Sequence, residues 1–270
     1  MKAAPFTMTN VKRQTKNNKI SNTGIRRIDS RLYYLMSIII IFSIWIILSL
    51  TNSESQRRFL LPHPVEVGKR MLNMVANGTL IYHISITLLE MGLGLAAGTV
   101  TALILGYFVA HNALFAYMIE PIIVVSQAIP IVALAPLLTV WFGPGLISKI
   151  VVCSLIVFFP ILVNVVTGLK SIQPHHQALF QLLEATPTEK LMHLEIPSAL
   201  PSLFSGLKIG GTLSGMGAVV GEFVASTKGL GYLVKQGQNL YDLPMMFVAI
   251  FTLMAITITI YLCLSLLETS

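Results

Sequence analysis

"QLLEATPTEKLMHLEIPSALP" (residues 181–201) is a polar, proline-punctuated stretch set between long hydrophobic runs. Thr186 precedes Pro187, and Glu189 follows three residues after the threonine. That order is a helix start: a hydroxyl N-cap, proline at the first helical position, and a capping-box carboxylate. Just upstream, Leu179, Phe180, Leu182 and Leu183 form one apolar cluster; Leu191, Met192 and Leu194 form a second. The segment bracketed by Pro174 and Pro197 therefore reads as two short helices joined near Glu184–Thr186, each with an apolar face. Apolar faces outside the hydrocarbon need a cover. The economical cover is a protein partner that receives a helix in a groove.

The rest of the chain is suited to lipid. Its 270 residues are 54% hydrophobic and only 11% charged, with mean hydropathy +0.78. Soluble domains carry about 25% charged residues, so this chain lacks the charge to cover a water-facing surface. Apolar runs over 32–50, 85–110, 118–142, 149–169, 203–225 and 246–267 each approach the roughly 20 residues that cross a bilayer as helix. They predict an all-α membrane protein, a six-span helical bundle over 32–270, with no soluble domain beside it. The first run is too long for a signal-peptide core and has no small-residue cleavage site after it.

A tail over 1–31 precedes the first run. Lys2, Lys12, Arg13, Lys16, Lys19, Arg26, Arg27 and Arg31 lie in it, opposed only by Asp29. A nucleic-acid arm is one reading. The preferred one is a positive-inside signal that holds the N-terminus in the cytoplasm, with no nucleic-acid partner. Six spans then return the C-terminus to the cytoplasm and place residues 170–202 on that side. Arg57, Arg58, Lys69 and Arg70 in the first loop weigh against this orientation, but the N-terminal cluster is larger. Within "LPHPVEVGKRMLNMVANGTLIYHI" (61–84), Val65, Met71, Leu72 and Val75 recur at helical spacing. They predict a short interfacial helix ended by Gly78.

Three small-xxx-small pairs, Gly94/Gly98, Gly211/Gly215 and Gly217/Gly221, suit helices that pack by close backbone approach in lipid. The third run, "PIIVVSQAIPIVALAPLLTVWFGPG" (121–145), is interrupted by Pro121, Pro130 and Pro136, with Gln127 one turn before Pro130. Broken helices are tolerated where neighbours or a water-filled cavity satisfy the freed carbonyls. A pathway-lining helix and an irregular buried helix both fit. Glu90 and Glu222 lie in apolar runs, where a carboxylate faces a cavity or a partner, or sits hydrated at the outer interface. No Lys or Arg is expected deep in any span, which leans towards a neutral or cationic solute.

Catalytic motifs are missing. There is no P-loop, no G-x-S-x-G, no H-E-x-x-H and no metal-ligand spacing, so neither an enzyme nor a chain with a cofactor of its own is expected. His175 and His176 read as a solvated pair. Cys153 and Cys263 read as small apolar residues without a disulfide.

Pro174 and "EATPTEKLMHLEIPSALPSLFSGLKIGG" (184–211) resemble the coupling loop of ATP-binding-cassette importer permeases, whose consensus is E-A-A-x3-G-x9-I-x-L-P. Leu194, Ile196 and Pro197 match its I-x-L-P end. In that register the consensus glycine falls on Glu184, and E-A-A falls on Ala178-Leu179-Phe180; the Glu184–Ala185 pair is out of register. "LPHPVEV" (61–67), "SQAIPIVALAPLLTVWFGPGLISKI" (126–150) and "VVGEFVASTKGLGYLV" (219–234) are similar to the taurine, sulfonate and nitrate type of permease. "TLLE" (87–90) and "VVGEF" also resemble its subset linked to thiamine-pyrimidine precursors and riboflavin. The resemblance, over roughly 61–267, implies a multi-pass protein of the bacterial cell membrane. It implies a homodimer in lipid, served by two ATPase subunits that use ATP and Mg and by an extracytoplasmic solute-binding protein. It carries the coupling role onto Glu184, Ala185, Thr186, Pro187, Leu191, His193, Leu194, Ile196 and Pro197. Glu90, Gln127, Pro130, Pro136 and Glu222 are the candidate pathway residues. The competing reading is an autonomous proton-coupled secondary transporter using Glu90 or Glu222, although no inverted repeat is visible.

Overall fold

The computed structural model describes residues 30–51 and 61–269, and every regular element within them is helical. The basic tail before Ser30 and the loop cations Arg57 and Arg58 lie outside the described residues. Helix α1, Ser30–Thr51, forms a unit of its own, 22 residues long, with Ile40, Ile44, Ile47 and Leu48 exposed along it.

In the larger unit, α2 (Pro64–Ala76) begins where His63 and Glu66 close a capping box around Pro64. It ends at Asn77, before Gly78 with φ 74°. Val67 and Met74 face inward, and Arg70 reaches Asp242 at 2.5 Å. The expected apolar stripe, Val65, Met71, Leu72 and Val75, is left exposed on the other side.

Four helices are long and apolar enough to cross a membrane among the described residues: Thr79–His111, Leu146–Lys170, Pro187–Val224 and Leu243–Glu268. Helix α3 (Thr79–His111) has 33 residues, about 50 Å at 1.5 Å per residue, longer than the hydrocarbon is thick. The run expected as one span over 118–142 is instead α4 (Ala113–Ala128) followed by α5 (Ile131–Phe142). Of its three prolines only Pro130 breaks the chain, sitting as the N-cap of α5. A residue before proline is pushed out of the helical region, which ends α4 ahead of it. Pro121 and Pro136 stay inside helices.

Helix α6 (Leu146–Lys170) is the centre of the bundle, packed between α3 and α9 (Ile196–Ala225). The glycine pairs explain why. A Cβ on Gly98 would come within 2.8 Å of the Ser154 carbonyl oxygen, and one on Gly217 within 2.8 Å of the Cys153 Cα. Backbones this close gain dispersion contacts that lipid tails cannot match. Gly211 and Gly215 admit side chains of α11 (Leu243–Thr269) in the same way. Cys153, Val157, Ile161 and Leu162 fill the core between these helices, and both cysteines are free.

Candidate functional site

At one end of the bundle lies the segment bracketed by Pro174 and Pro197. Helix α7 (Pro174–Leu182) closes in a Schellman motif. The Glu184 amide donates to the Gln181 carbonyl and the Ala185 amide to the Phe180 carbonyl, both at 3.1 Å. That closure needs a left-handed residue, and Glu184 supplies it with φ 50°. The position aligned with the consensus glycine thus has a glycine's conformation while carrying a Cβ. Thr186 then caps α8 (Pro187–Lys190) in a complete capping box with Glu189, whose carboxylate accepts from the Thr186 amide at 2.8 Å.

The second helix is not short, and Pro197 does not end it. A π turn over Leu191–Glu195 joins α8 to α9, so one helical path runs from Pro187 to Ala225. Pro197 has no amide to give the His193 carbonyl and would crowd it in an α-helix. The wider turn, with the Ile196 amide donating to the Leu191 carbonyl, makes room. The turn also re-aims side chains. Leu182, Leu183, Met192 and Ile196 are exposed. So are Thr186, Pro187, His193 and Pro197, with Ala185 and Leu191 half-buried. Leu194, expected on the open apolar face, turns inward and is buried.

At the opposite end, α3 presents His83, Thr87 and Glu90 on one face, all buried. His83 and Thr87 grip the turn that leads into α10 (Leu230–Leu240). The Gly229 amide donates to His83 Nδ1 at 2.9 Å and the Leu230 amide to Thr87 Oγ1 at 2.8 Å. Thr87 in turn donates to Glu222 Oε1 at 2.7 Å, and the Gly231 amide donates to Glu222 Oε2. Glu222 is thus a buried carboxyl whose two oxygens tie α3 to the N-terminus of α10. Gly229, with φ 104°, and Gly231 are glycines because their Cβ atoms would collide with that carboxylate. "GEF…KGLG" is the residue pattern this closure demands.

Glu90 has a different setting. Lys149 of α6 donates to Glu90 Oε1 at 2.8 Å and to Ser226 Oγ at 2.7 Å, with the lysine only 8% exposed. A cation thus reaches the buried Glu90 carboxylate from the first turn of α6. Lys149 opens an apolar run in the sequence, and only tertiary packing turns it onto Glu90. The pair lines a cleft of about 610 Å³ with Tyr82, Pro144, Ser226 and Lys228. Glu90 Oε2 is buried without a hydrogen-bond partner. Both carboxylates are fully buried within the chain. Gln127 lies in α4 with its side chain outside the described residues; Pro130 and Pro136 mark the broken α4–α5 run.

Residues 98–269 match the family described as binding-protein-dependent transport system inner membrane component. The chain belongs to that family. It is the permease subunit of an ATP-binding-cassette importer and a multi-pass component of the bacterial cell membrane. This permease is 40% identical over 210 residues to the riboflavin transport system permease protein RibX of Chloroflexus aurantiacus, covering 78% of each chain. It is 36% identical to the formylaminopyrimidine transport permease protein ThiX of Halalkalibacterium halodurans, covering 72% of its own length and 78% of that protein. It is 30% identical to the taurine transport system permease protein TauC of Escherichia coli, covering 65% and 66%. The inward-facing MetNI methionine transporter shares its fold, with TM-score 0.62 at 22% identity over 70% of this chain and 94% of that one. All three curated relatives are transport components rather than catalysts.

Sequence reasoning missed four residues of the permease: His83 and Thr87, which hold the turn, Lys149, and Glu195, treated below. Each acts through a partner 59 or more positions away in the chain, so no local pattern marks it.

Proposed function

We propose that this chain is the six-span half of a homodimeric importer in lipid, with both termini in the cytoplasm. The exposed face of 174–197 receives an ATPase subunit there, and a solute-binding protein delivers at the opposite end. ATP and Mg belong to the partner; this chain carries the pathway. Closure of the ATPase pair moves the docking segment as a rigid body and shifts the bundle between two states.

The single observation that carries the docking role is Leu182 and Leu183 at 82% and 67% exposure beside the capped helix start. Such a surface is costly unless covered, and a groove on a partner covers it. Glu90, Lys149, Gln127, Pro130 and Pro136 form the pathway side of this reading. Glu222 acts one layer behind, by holding the turn that carries Ser226.

For the solute, the reading favours a small planar nitrogen heterocycle of the riboflavin or pyrimidine-precursor class over taurine, sulfonates or nitrate. The supporting observations are higher identity to RibX and ThiX than to TauC, and a cleft whose lysine is neutralised by its own carboxylate. The test is uptake into proteoliposomes holding the chain, its ATPase and its binding protein, with riboflavin, an aminopyrimidine and taurine in parallel. ATP-dependent uptake of a heterocycle is expected. ATP-dependent uptake of taurine alone overturns the solute class, and uptake driven by a proton gradient without the ATPase overturns the importer.

A further inference from the structure

We infer that Glu195 and His111 form the strut that passes movement of the docking segment into α3. The inference rests on the importer reading above and names the side chains through which its coupling runs. Glu195 ends the π turn and is 4% exposed, although Met192, His193, Ile196 and Pro197 around it are open. Its Oε1 lies 2.9 Å from His111 Nε2 and 3.4 Å from Lys190 Nζ. The coupling consensus leaves this position unspecified, so its burial is set by the turn and not by the motif.

His111 is the last residue of α3. Its other ring nitrogen lies 2.9 Å from the Tyr107 carbonyl oxygen, and the ring rests 4.2 Å from the Tyr107 ring. The imidazole is therefore held from two sides and aimed at one carboxylate oxygen. Beside it the apolar contact is incomplete. A cavity of about 210 Å³ separates Leu103 and Tyr107 of α3 from Leu191, Ile196 and Leu203. Apolar contacts across such a cavity are fewer than in a close-packed seam, whereas the His111–Glu195 contact joins the two helices directly. The polar contact is the stiff one.

Where the strut leads gives it meaning. Thirty-three helical residues without a proline run from His111 back to Thr79. Near the far end, His83 and Thr87 hold the amides of Gly229 and Leu230, and Glu90 holds Lys149. A displacement applied at Glu195 reaches the Glu90–Lys149 cleft along one helix. Glu195 and His111 are positioning residues; neither touches solute or nucleotide.

The test uses the complete complex in proteoliposomes, reading ATP hydrolysed and solute taken up together, with co-purification of the ATPase as the measure of assembly. Glu195→Ala and His111→Ala are expected to assemble and hydrolyse ATP while the ATP consumed per solute rises about fivefold or more. The exchanged pair, His111→Glu with Glu195→His, is expected to restore the wild-type ratio. Because the single variants could fail to fold, Glu195→Gln is included; it keeps the shape and the fold and weakens the contact, so the ratio rises less. Single variants with the wild-type ratio overturn the strut. Equal losses of assembly, hydrolysis and uptake in every variant, unrescued by the exchange, reduce Glu195 to a folding residue and also overturn it. A wild-type complex without ATP-driven uptake overturns the importer reading, and the strut with it.

Discussion

Glu184 holds a left-handed backbone at the C-terminus of α7 with φ 50°. For an L-residue with a Cβ this conformation costs about 1–2 kcal/mol. Glu184→Gly is therefore expected to stabilise the docking segment by about 1 kcal/mol, read as slower proteolysis between α7 and α8. Glu222 makes the opposite case. It accepts from the Thr87 hydroxyl and the Gly231 amide at once, and a glutamine offers only one acceptor oxygen. Glu222→Gln leaves one buried donor unpaired, at about 1–3 kcal/mol. Loss of that order in thermal unfolding of the purified chain, with early cleavage near 226–231, is the expected outcome. Lys149 and Glu90 complete this scale. Either single neutralisation strands a buried charge and should destabilise by about 3–5 kcal/mol. Lys149→Met combined with Glu90→Gln should recover most of that loss in the same thermal assay while uptake stays impaired.

Among the elements, α6 is the one on which the bundle depends, because glycines of both α3 and α9 press against its backbone. Gly98→Val would place a branched side chain where the Ser154 carbonyl already stands at 2.8 Å from the first added atom. Overpacking of this kind costs about 1–3 kcal/mol and should lower the unfolding temperature without altering the expressed amount of the partner ATPase. These glycine pairs were legible in the chain, as were the cap at Thr186, the end of α2 before Gly78 and the helical content, since each is written in local residue order. The division of α4 from α5 was half legible. Three prolines announced breaks, but whether a proline breaks or merely sits in a helix depends on which carbonyls its neighbours satisfy. The π turn was not legible. It trades one irregular turn for room at Pro197, and no residue pattern distinguishes that solution from a simple helix end. The inward rotation of Leu194 and Glu195 follows from it and was invisible for the same reason. The role of Lys149 was not legible, because an ion pair across 59 positions has no period.

For the whole molecule, a polar, partly apolar-faced segment lies at one end, and a cleft lined by a buried ion pair lies at the other. One uninterrupted helix, α3, touches both. In the proposed importer the first end receives work and the second is where it is used. The most direct measurement places the chain in proteoliposomes with its binding protein and an ATP supply, with and without the ATPase, and compares wild type with Leu182→Asp/Leu183→Asp. Solute should accumulate only when the ATPase is present, and the double aspartate should abolish both ATPase capture and accumulation while the bundle still unfolds at its normal temperature. Accumulation by the chain alone, or an aspartate variant that still captures the ATPase and transports, would contradict the account.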